Sequence, residues 1–403
     1  MNKDILSSLA PEILGKRLQE ARKSRGLTQE VVATTIGAAR TTIVAIEKGE
    51  RRLDADELIQ LAALYGRNVS ELVGRTQLVE SFVPEFRAAL HPNKAQSGDH
   101  SECVVQLQRL AEDYYDLEQR CGKPMPRNNQ AVYEIKGIPV EQAAEDIAAT
   151  ERNRLGLGDG PISDLATLLE ADRGLRIFSY TMPSQIAGIF AYTDTLGGCI
   201  GINAGHPRDR RNWSIAHEFG HYLTARFEVE MTYLHEKRAH TARERFADEF
   251  AKCFLMPAAG LTRRFADIYR ANGQKISLAD ILHLANLYQV SVQALVLRLE
   301  DLKRLPSGTW DTKKEEGFRP RAAQKTLGLP CPAPSEDQFP ARYLYLVLLA
   351  YEQSLVTEGQ AANYLRTDRV SARDRLEEIK NRFNLQKETG FVSMQLDFAR
   401  TLN

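Results

Sequence analysis

The sequence predicts an α+β multidomain protein: an all-α N-terminal domain, a central α+β domain and a helical C-terminal region. Three observations carry this. From Leu14 to Val73 apolar residues recur at helical spacing, broken at Gly26, Gly37, Gly49 and Gly66. From about residue 137 helical stretches precede short β-rich runs (LRIFSYT, IAGIFAYTD, GCIGIN), and two strong helices follow, the order of an α+β unit. At 403 residues the chain exceeds one ordinary core, and its length suggests two or three domains.

Composition narrows the class. With 43% hydrophobic and 26% charged residues the chain reads as globular. Lys plus Arg equals Asp plus Glu at 53 each, so no global field draws it to nucleic acid or an acidic membrane, and any basic site is local. Cys103, Cys121, Cys199, Cys253 and Cys331 form no CxxC pair, which argues against a disulfide framework and a zinc ribbon and fits a reducing cytoplasm. No stretch has the apolar length of a signal peptide or membrane span, so a cytoplasmic protein with no membrane partner is expected.

The first domain spans about 13–74. Thr28 in TQEV is a helix-start signal and Gly37 closes that helix; Leu14, Leu18, Val31, Ile36, Ile43, Ile46, Leu58, Leu61 and Leu64 read as core. Residues 75–136 read as linker and connecting helix. His91–Glu102 is polar and aperiodic, and a helix from about Cys103 to Arg120 serves as spacer, dimerising helix or internal packing. The central domain runs over 137–305. Pro306–Pro320 reads as a charged connector, and 321–403 as a separate helical unit in which EGQAANYLRTDRVSARDRL suggests a second helix-turn-helix-like fold.

WSIAHEFGHY, Trp213–Tyr222, carries the chemistry. His217 and His221 lie four apart on one helical face, so their imidazoles can converge on one cation. Glu218 between them can address a water, the HExxH arrangement of two zinc-binding histidines and a general base. A catalytic zinc needs a third protein ligand. Glu244 is the first choice, with His235, His240 and Glu249 as alternatives; Asp248, four residues on, can orient a ligand histidine. One Zn2+ per chain is expected.

NWSIAHEFGHY followed by ERFADEFAKCFLMP resembles the ImmA/IrrE family of zinc metallopeptidases, over about residues 137–305. The resemblance implies a gluzincin-like metallopeptidase domain with His217, His221 and Glu244 on zinc. It also implies that GCIGIN, with Gly201, Ile202 and Asn203, is an edge strand beside the cleft, able to hold an extended peptide by backbone pairing. The chain departs from the family in having Ala225 where a further His is common. Tyr222, Tyr233, His235 and His240 are the candidates for oxyanion stabilisation.

Residues 13–74 resemble the XRE, or Cro/C1-type, helix-turn-helix family: LTQE opens the second helix, IG marks the turn and ARTTIVAIEKGER forms the third helix and its exit. In such modules the third helix enters the major groove. That implies base contacts from Ala39, Arg40, Thr41 and Thr42, with Arg40 suited to guanine. Thr28 and Gln29 are expected on phosphate, with Lys48, Arg51 and Arg52 adding charge. Between Lys16 and Arg52 nine Lys or Arg face four Glu, a local surplus that makes phosphate affinity salt-dependent.

The expected function is a DNA-binding transcriptional regulator with zinc-dependent peptidase activity. By resemblance its target is a repressor, often itself of XRE type, in a stress or mobile-element response. The expected partners are a double-stranded operator, that protein substrate and a second copy of the chain. The alternative is an XRE-family transcription factor whose peptidase-like domain senses a ligand without proteolysis.

Overall fold

The computed structural model describes residues 11–67, 69–73, 81–83, 97–126, 131–228, 230–233, 241–330 and 339–388. The N-terminal domain is five helices, α1 (Pro11–Ser24), α2 (Gln29–Thr35), α3 (Arg40–Lys48), α4 (Ala55–Tyr65) and α5 (Val69–Val73). Thr28 caps α2 by accepting from the Val31 amide, and Asp54 with Glu57 forms a capping box on α4. The predicted core holds at Leu18, Ile43, Ile46, Leu58 and Leu61, which are buried. Val31 is the exception at 47% exposed; the inward residue of α2 is Val32, one step round the helix. The Arg22 guanidinium pairs with the buried Glu47 carboxylate inside this domain.

Next comes α6 (Ser97–Cys121), which begins inside the stretch expected to be linker. The central elements are α7 (Val140–Arg154), α8 (Leu165–Arg173), β1 (Arg176–Tyr180), β2 (Ile186–Thr193), β3 (Gly197–Asn203), α9 (Arg208–Thr224), β4 (Glu230–Tyr233), α10 (Ala242–Leu255), α11 (Ala258–Ala271), α12 (Leu278–Tyr288) and α13 (Val292–Asp301). They are followed by α14 (Thr309–Glu315), α15 (Pro320–Thr326), α16 (Ala341–Glu352), α17 (Glu358–Tyr364) and α18 (Arg369–Glu388). Pro306–Pro320 is therefore not an open connector. Trp310 and Phe318 pack on the central core, so that domain extends past its expected end at 305.

The sheet has the order β1-β3-β2-β4, with β1 and β3 parallel and the other pairs antiparallel. Both faces are covered, which is why its strands are almost continuously apolar. Ile177, Phe190, Ile200 and Ile202 face one core with α7–α13. Phe178, Tyr180, Ile189 and Cys199 face another, built from α6 and α16–α18. The C-terminal region is thus the second covering layer of the sheet rather than a separate unit.

Leu107, Leu110, Tyr114 and Leu117 of α6 are spent in that second core, so the apolar face of α6 serves internal packing and is not available for dimerisation. A buried polar seam ties the layers together. Glu118 accepts from Arg176 at 2.7 Å and from Arg342 at 2.7 Å, and Tyr114 donates to Glu170 at 2.7 Å. Near the middle of α6, Arg67 pairs with Glu112 at 2.6 Å and Arg109 donates to the Gly66 carbonyl at 2.6 Å, fastening the N-terminal domain to this helix.

The seam predicts a pH effect. Burial pushes the Glu170 carboxyl up to about 7, against the lowering effect of the Tyr114 hydroxyl and Arg342. Its folded value thus lies above the ordinary carboxylate value, and the folded chain binds the extra proton between the two. Stability from this group is full in acid and is lost as pH climbs from about 4.5 to about 7, by roughly 3 kcal/mol. Thermal melts of wild type and Glu170→Gln between pH 5 and 8 should converge in acid, with wild type falling away as the pH rises. Parallel curves would show that the carboxyl stays ionised throughout.

Candidate metal centre and nucleic-acid interface

The helix α9 starts after Pro207 with Asp209 in its first turn and runs through the protein's middle, with every residue from Ser214 to Leu223 buried. It packs beneath β2 and β3 on one side and against α10 on the other. Gly220, the glycine of HEFGH, makes the second contact possible: a Cβ there would sit 3.2 Å from the Ala247 Cα and 3.3 Å from the Phe250 ring. Thr241 caps α10 by accepting from the Glu244 amide, which places Glu244 in the first turn facing α9.

His217, His221 and Glu244 converge, with ligand-type atoms of all three within 4.8 Å of one another. The two Nε2 atoms are 3.1 Å apart, and the Glu244 carboxylate oxygens lie 3.5 Å from each. Two ring nitrogens so close face each other across one proton or one cation. A tetrahedral zinc at about 2.0–2.1 Å from each would set them about 3.3 Å apart. The donor set of two buried imidazoles and one carboxylate therefore fits zinc. His217 Nδ1 is 2.9 Å from Asp248 Oδ1, the outer carboxylate that fixes the ring tautomer. Glu249, an alternative ligand, pairs instead with Lys252 at 2.5 Å. His235 and His240 lie outside the described residues.

Electrostatics favour a cation here. Burial lowers the His217 pKa, but the Asp248 and Glu244 carboxylates overcome this and hold it above the ordinary histidine range. His221 is driven well below it by burial and by its neighbour His217.

Glu218 is fully buried, and its carboxylate lies under the β2 backbone at Gly188. A Cβ at Gly188 would collide with that carboxylate, so any side chain at this position pushes Glu218 aside. Sequence reasoning did not single out Gly188. The irregular pairing at Ile186/Gly188 that turns it towards α9 is a tertiary feature of the β2–β4 contact.

The expectation for GCIGIN is overturned. β3 is paired on both sides, so it has no edge to offer a peptide. Gly201 faces the Tyr180 hydroxyl, Ile202 lies in the core, and Asn203 donates to the carbonyls of Met182, Pro183 and Ile186. The edge next to β2 is β4. Tyr222 also leaves the list of oxyanion candidates: its ring packs on Phe190 and Phe219 with Arg226 over its face.

In the N-terminal domain α2, a four-residue turn with Gly37 at φ +69°, and α3 stand in helix-turn-helix order. Ala39, Arg40 and Thr41 are exposed at the start of α3, and Thr42 is half-buried. Arg40 lies 3.9 Å from Glu30 and Lys48 3.9 Å from Glu50, both exposed pairs that phosphate can displace. Arg51 is held by Glu57 at 2.8 Å, and Arg52 is exposed. Thr28 and Gln29, expected on phosphate, have internal duties. Thr28 caps α2, and Gln29 donates to Glu47 at 2.9 Å.

These features define a helix-turn-helix protein carrying a metallopeptidase-like HExxH helix. Comparison with known families agrees: residues 18–72 match the helix-turn-helix family and residues 171–300 match the IrrE N-terminal-like domain. The chain thus joins an XRE-type helix-turn-helix to an IrrE/ImmA-like domain. Over 65 residues it is 34% identical to the HTH-type transcriptional regulator ImmR of Bacillus subtilis (strain 168), which covers 16% of this chain and 51% of that protein. The chain thus spans about half the length of that curated relative. A crystal structure of ComR from Streptococcus suis aligns over 94% of this chain and 97% of that one, at 11% identity and a TM-score of 0.16, too low for any inference about fold.

Proposed function

We propose that the chain is a DNA-binding regulator whose central domain is a zinc-dependent endopeptidase acting on a protein, with a helix-turn-helix repressor as the substrate class. The observation that carries this reading is the joint placement of His217, His221 and Glu244 around one point with Glu218 beside them under β2. Zinc, when bound, supplies Lewis acidity to a scissile carbonyl and acidifies a water. Glu218, whose ordinary role in HExxH is to take a proton from that water, then holds it for the leaving amine. Asp248 keeps the His217 ring oriented. β4 is the edge on which an extended peptide would pair.

The α3 start supports operator reading, and the local Lys and Arg surplus supports phosphate contact. One such domain contacts one half-site, which favours a homodimer on DNA. Cytoplasmic residence is supported by Cys103, Cys121, Cys199 and Cys253 being free thiols, and no described helix is long and apolar enough to cross a membrane.

The test compares wild type, His217→Ala and Glu218→Gln produced in bacterial cells, reading zinc by elemental analysis and new protein N-termini by mass spectrometry. Wild type and Glu218→Gln should carry about one zinc each and His217→Ala none. New N-termini should appear with wild type alone, since loss of a general base costs about 10²–10⁴-fold in rate. Zinc without any cleavage would turn the reading to a ligand-sensing regulator.

A further inference from the structure

The C-terminal stretch from Thr357 to Leu376 repeats the geometry of α2–α3. Both α2 and α17 have seven residues, and each is capped by a threonine, Thr28 accepting from the Val31 amide at 3.2 Å and Thr357 from the Gln360 amide at 3.3 Å. Each helix buries its fourth and fifth residues, Val32 and Ala33 in α2, Ala361 and Ala362 in α17. A four-residue turn follows in both, and its second residue is left-handed, Gly37 at φ +69° and Arg366 at φ +52°. The closing bonds also match: the Ala38 amide reaches the Ala33 carbonyl at 2.9 Å, and the Thr367 amide reaches the Ala362 carbonyl at 3.0 Å. The next helix begins with arginine in each case, Arg40 or Arg369, and buries its fourth residue, Ile43 or Ala372.

The left-handed residue and closing bond also end α12 at Gln289 and α16 at Ser354; what α17–α18 shares with α2–α3 is that cap together with the four-residue spacing and the matched burial. The left-handed turn sets the second helix across the first, so that one helix can rest on a backbone while the other enters a groove. The outer face of α18 is exposed at Arg369, Val370 and Arg373, with Val370 at 70%. An arginine pair around an apolar side chain suits guanine edges and a thymine methyl. Arg366 at the turn is paired with Asp113 at 2.5 Å and Arg373 with Glu358 at 2.7 Å, part-exposed ion pairs of the kind a phosphate can displace. A cleft of about 400 Å³ opens between the two helix starts, lined by polar groups including Gln360, Asn363 and Arg369. The inner face, with Leu376 and Ile379, is fixed in the core on the sheet.

We infer that α17 and α18 form a second double-stranded-DNA reader, so that one chain can contact two separate DNA elements. Two readers in one chain would allow a bipartite operator without a dimer.

The experiment uses the full chain and a fluorescent mixed-sequence duplex, titrated at several salt concentrations, with parallel selection of preferred sites from a randomised duplex pool. The proteins are wild type, Arg369→Ala with Arg373→Ala, Val370→Glu, and Arg40→Ala with Thr41→Ala. All five changed positions are exposed, and unchanged melting temperatures establish that each variant is folded. The paired arginine variant should bind about tenfold more weakly, with a salt slope smaller by about two. Its selected sites should lose one of the two elements that wild type selects, while the Arg40→Ala variant loses the other. The inference is overturned if both C-terminal variants match wild type in affinity, slope and selected sequence. In that event loss in the Arg40→Ala variant alone leaves the N-terminal reader standing. A change in oligomeric state with duplex binding unaltered also overturns it, and assigns the face to a protein contact.

Discussion

Gly188→Ala should keep zinc bound and lose turnover. The β2 backbone crosses α9 so closely that a Cβ at 188 would strike the Glu218 carboxylate and lie 3.1 Å from its Cγ. The group that must give way is the end of a flexible side chain, so the fold and the His217, His221 and Glu244 cluster stay in place while Glu218 moves. A displacement of about 1 Å in a reacting group costs on the order of 10²-fold in rate. Elemental analysis beside a cleavage assay reads both quantities in one preparation. Wild-type activity in Gly188→Ala would show that the carboxylate position is not limiting. Loss of zinc would show that β2 supports the ligands as well.

Gly220→Val should weaken zinc binding and stability together. α9 and α10 meet at Gly220, where even a single Cβ would stand 3.2 Å from the Ala247 Cα and 3.3 Å from the Phe250 ring. A β-branched side chain adds two more methyl groups to a contact whose nearest partner is backbone, and overpacking of this kind costs about 1–3 kcal/mol. Glu244 rides on α10 while the two histidines ride on α9, so separating the helices moves one member of the cluster away from the other two. The expected result is a lower melting temperature and a zinc content well below that of wild type, recovered in part by Gly220→Ala. An undiminished zinc content would mean that α10 can shift without carrying Glu244 away.

Both predictions concern glycines, and they mark the limit of what pattern reading supplies. His217 and His221 were legible because a four-residue step on a helix fixes their common face whatever the rest of the chain does. Glu244 and Asp248 were legible by the same rule on a second helix, and their distance to the histidines was not. Val31 was misplaced for a related reason: in a seven-residue helix two adjacent valines leave the inward face undecided until α1 and α3 are packed. GCIGIN reads as a strand from composition, but central and edge strands in a sheet covered on both faces share the same apolar run. Only pairing with both β1 and β2 shows that β3 is interior.

The C-terminal region shows the same division. Its helices and its helix-turn-helix-like stretch are written in local capping and spacing, as at Thr357 and Arg366. Its role as a covering layer is not. Tyr343 and Leu346 look like any helical core residues until the far face of the sheet and α6 supply their partners.

By itself the sequence determined the helix-turn-helix order, the HExxH helix with its candidate third ligand, and the α+β class, because each depends on residue spacing within one element or on the succession of elements. The tertiary structure alone decided which strand is an edge, which helices cover which face, and how near Gly188 and Gly220 bring backbone to the site. Those are contacts between residues far apart in the chain, and no local periodicity encodes the distance between two elements once they are packed.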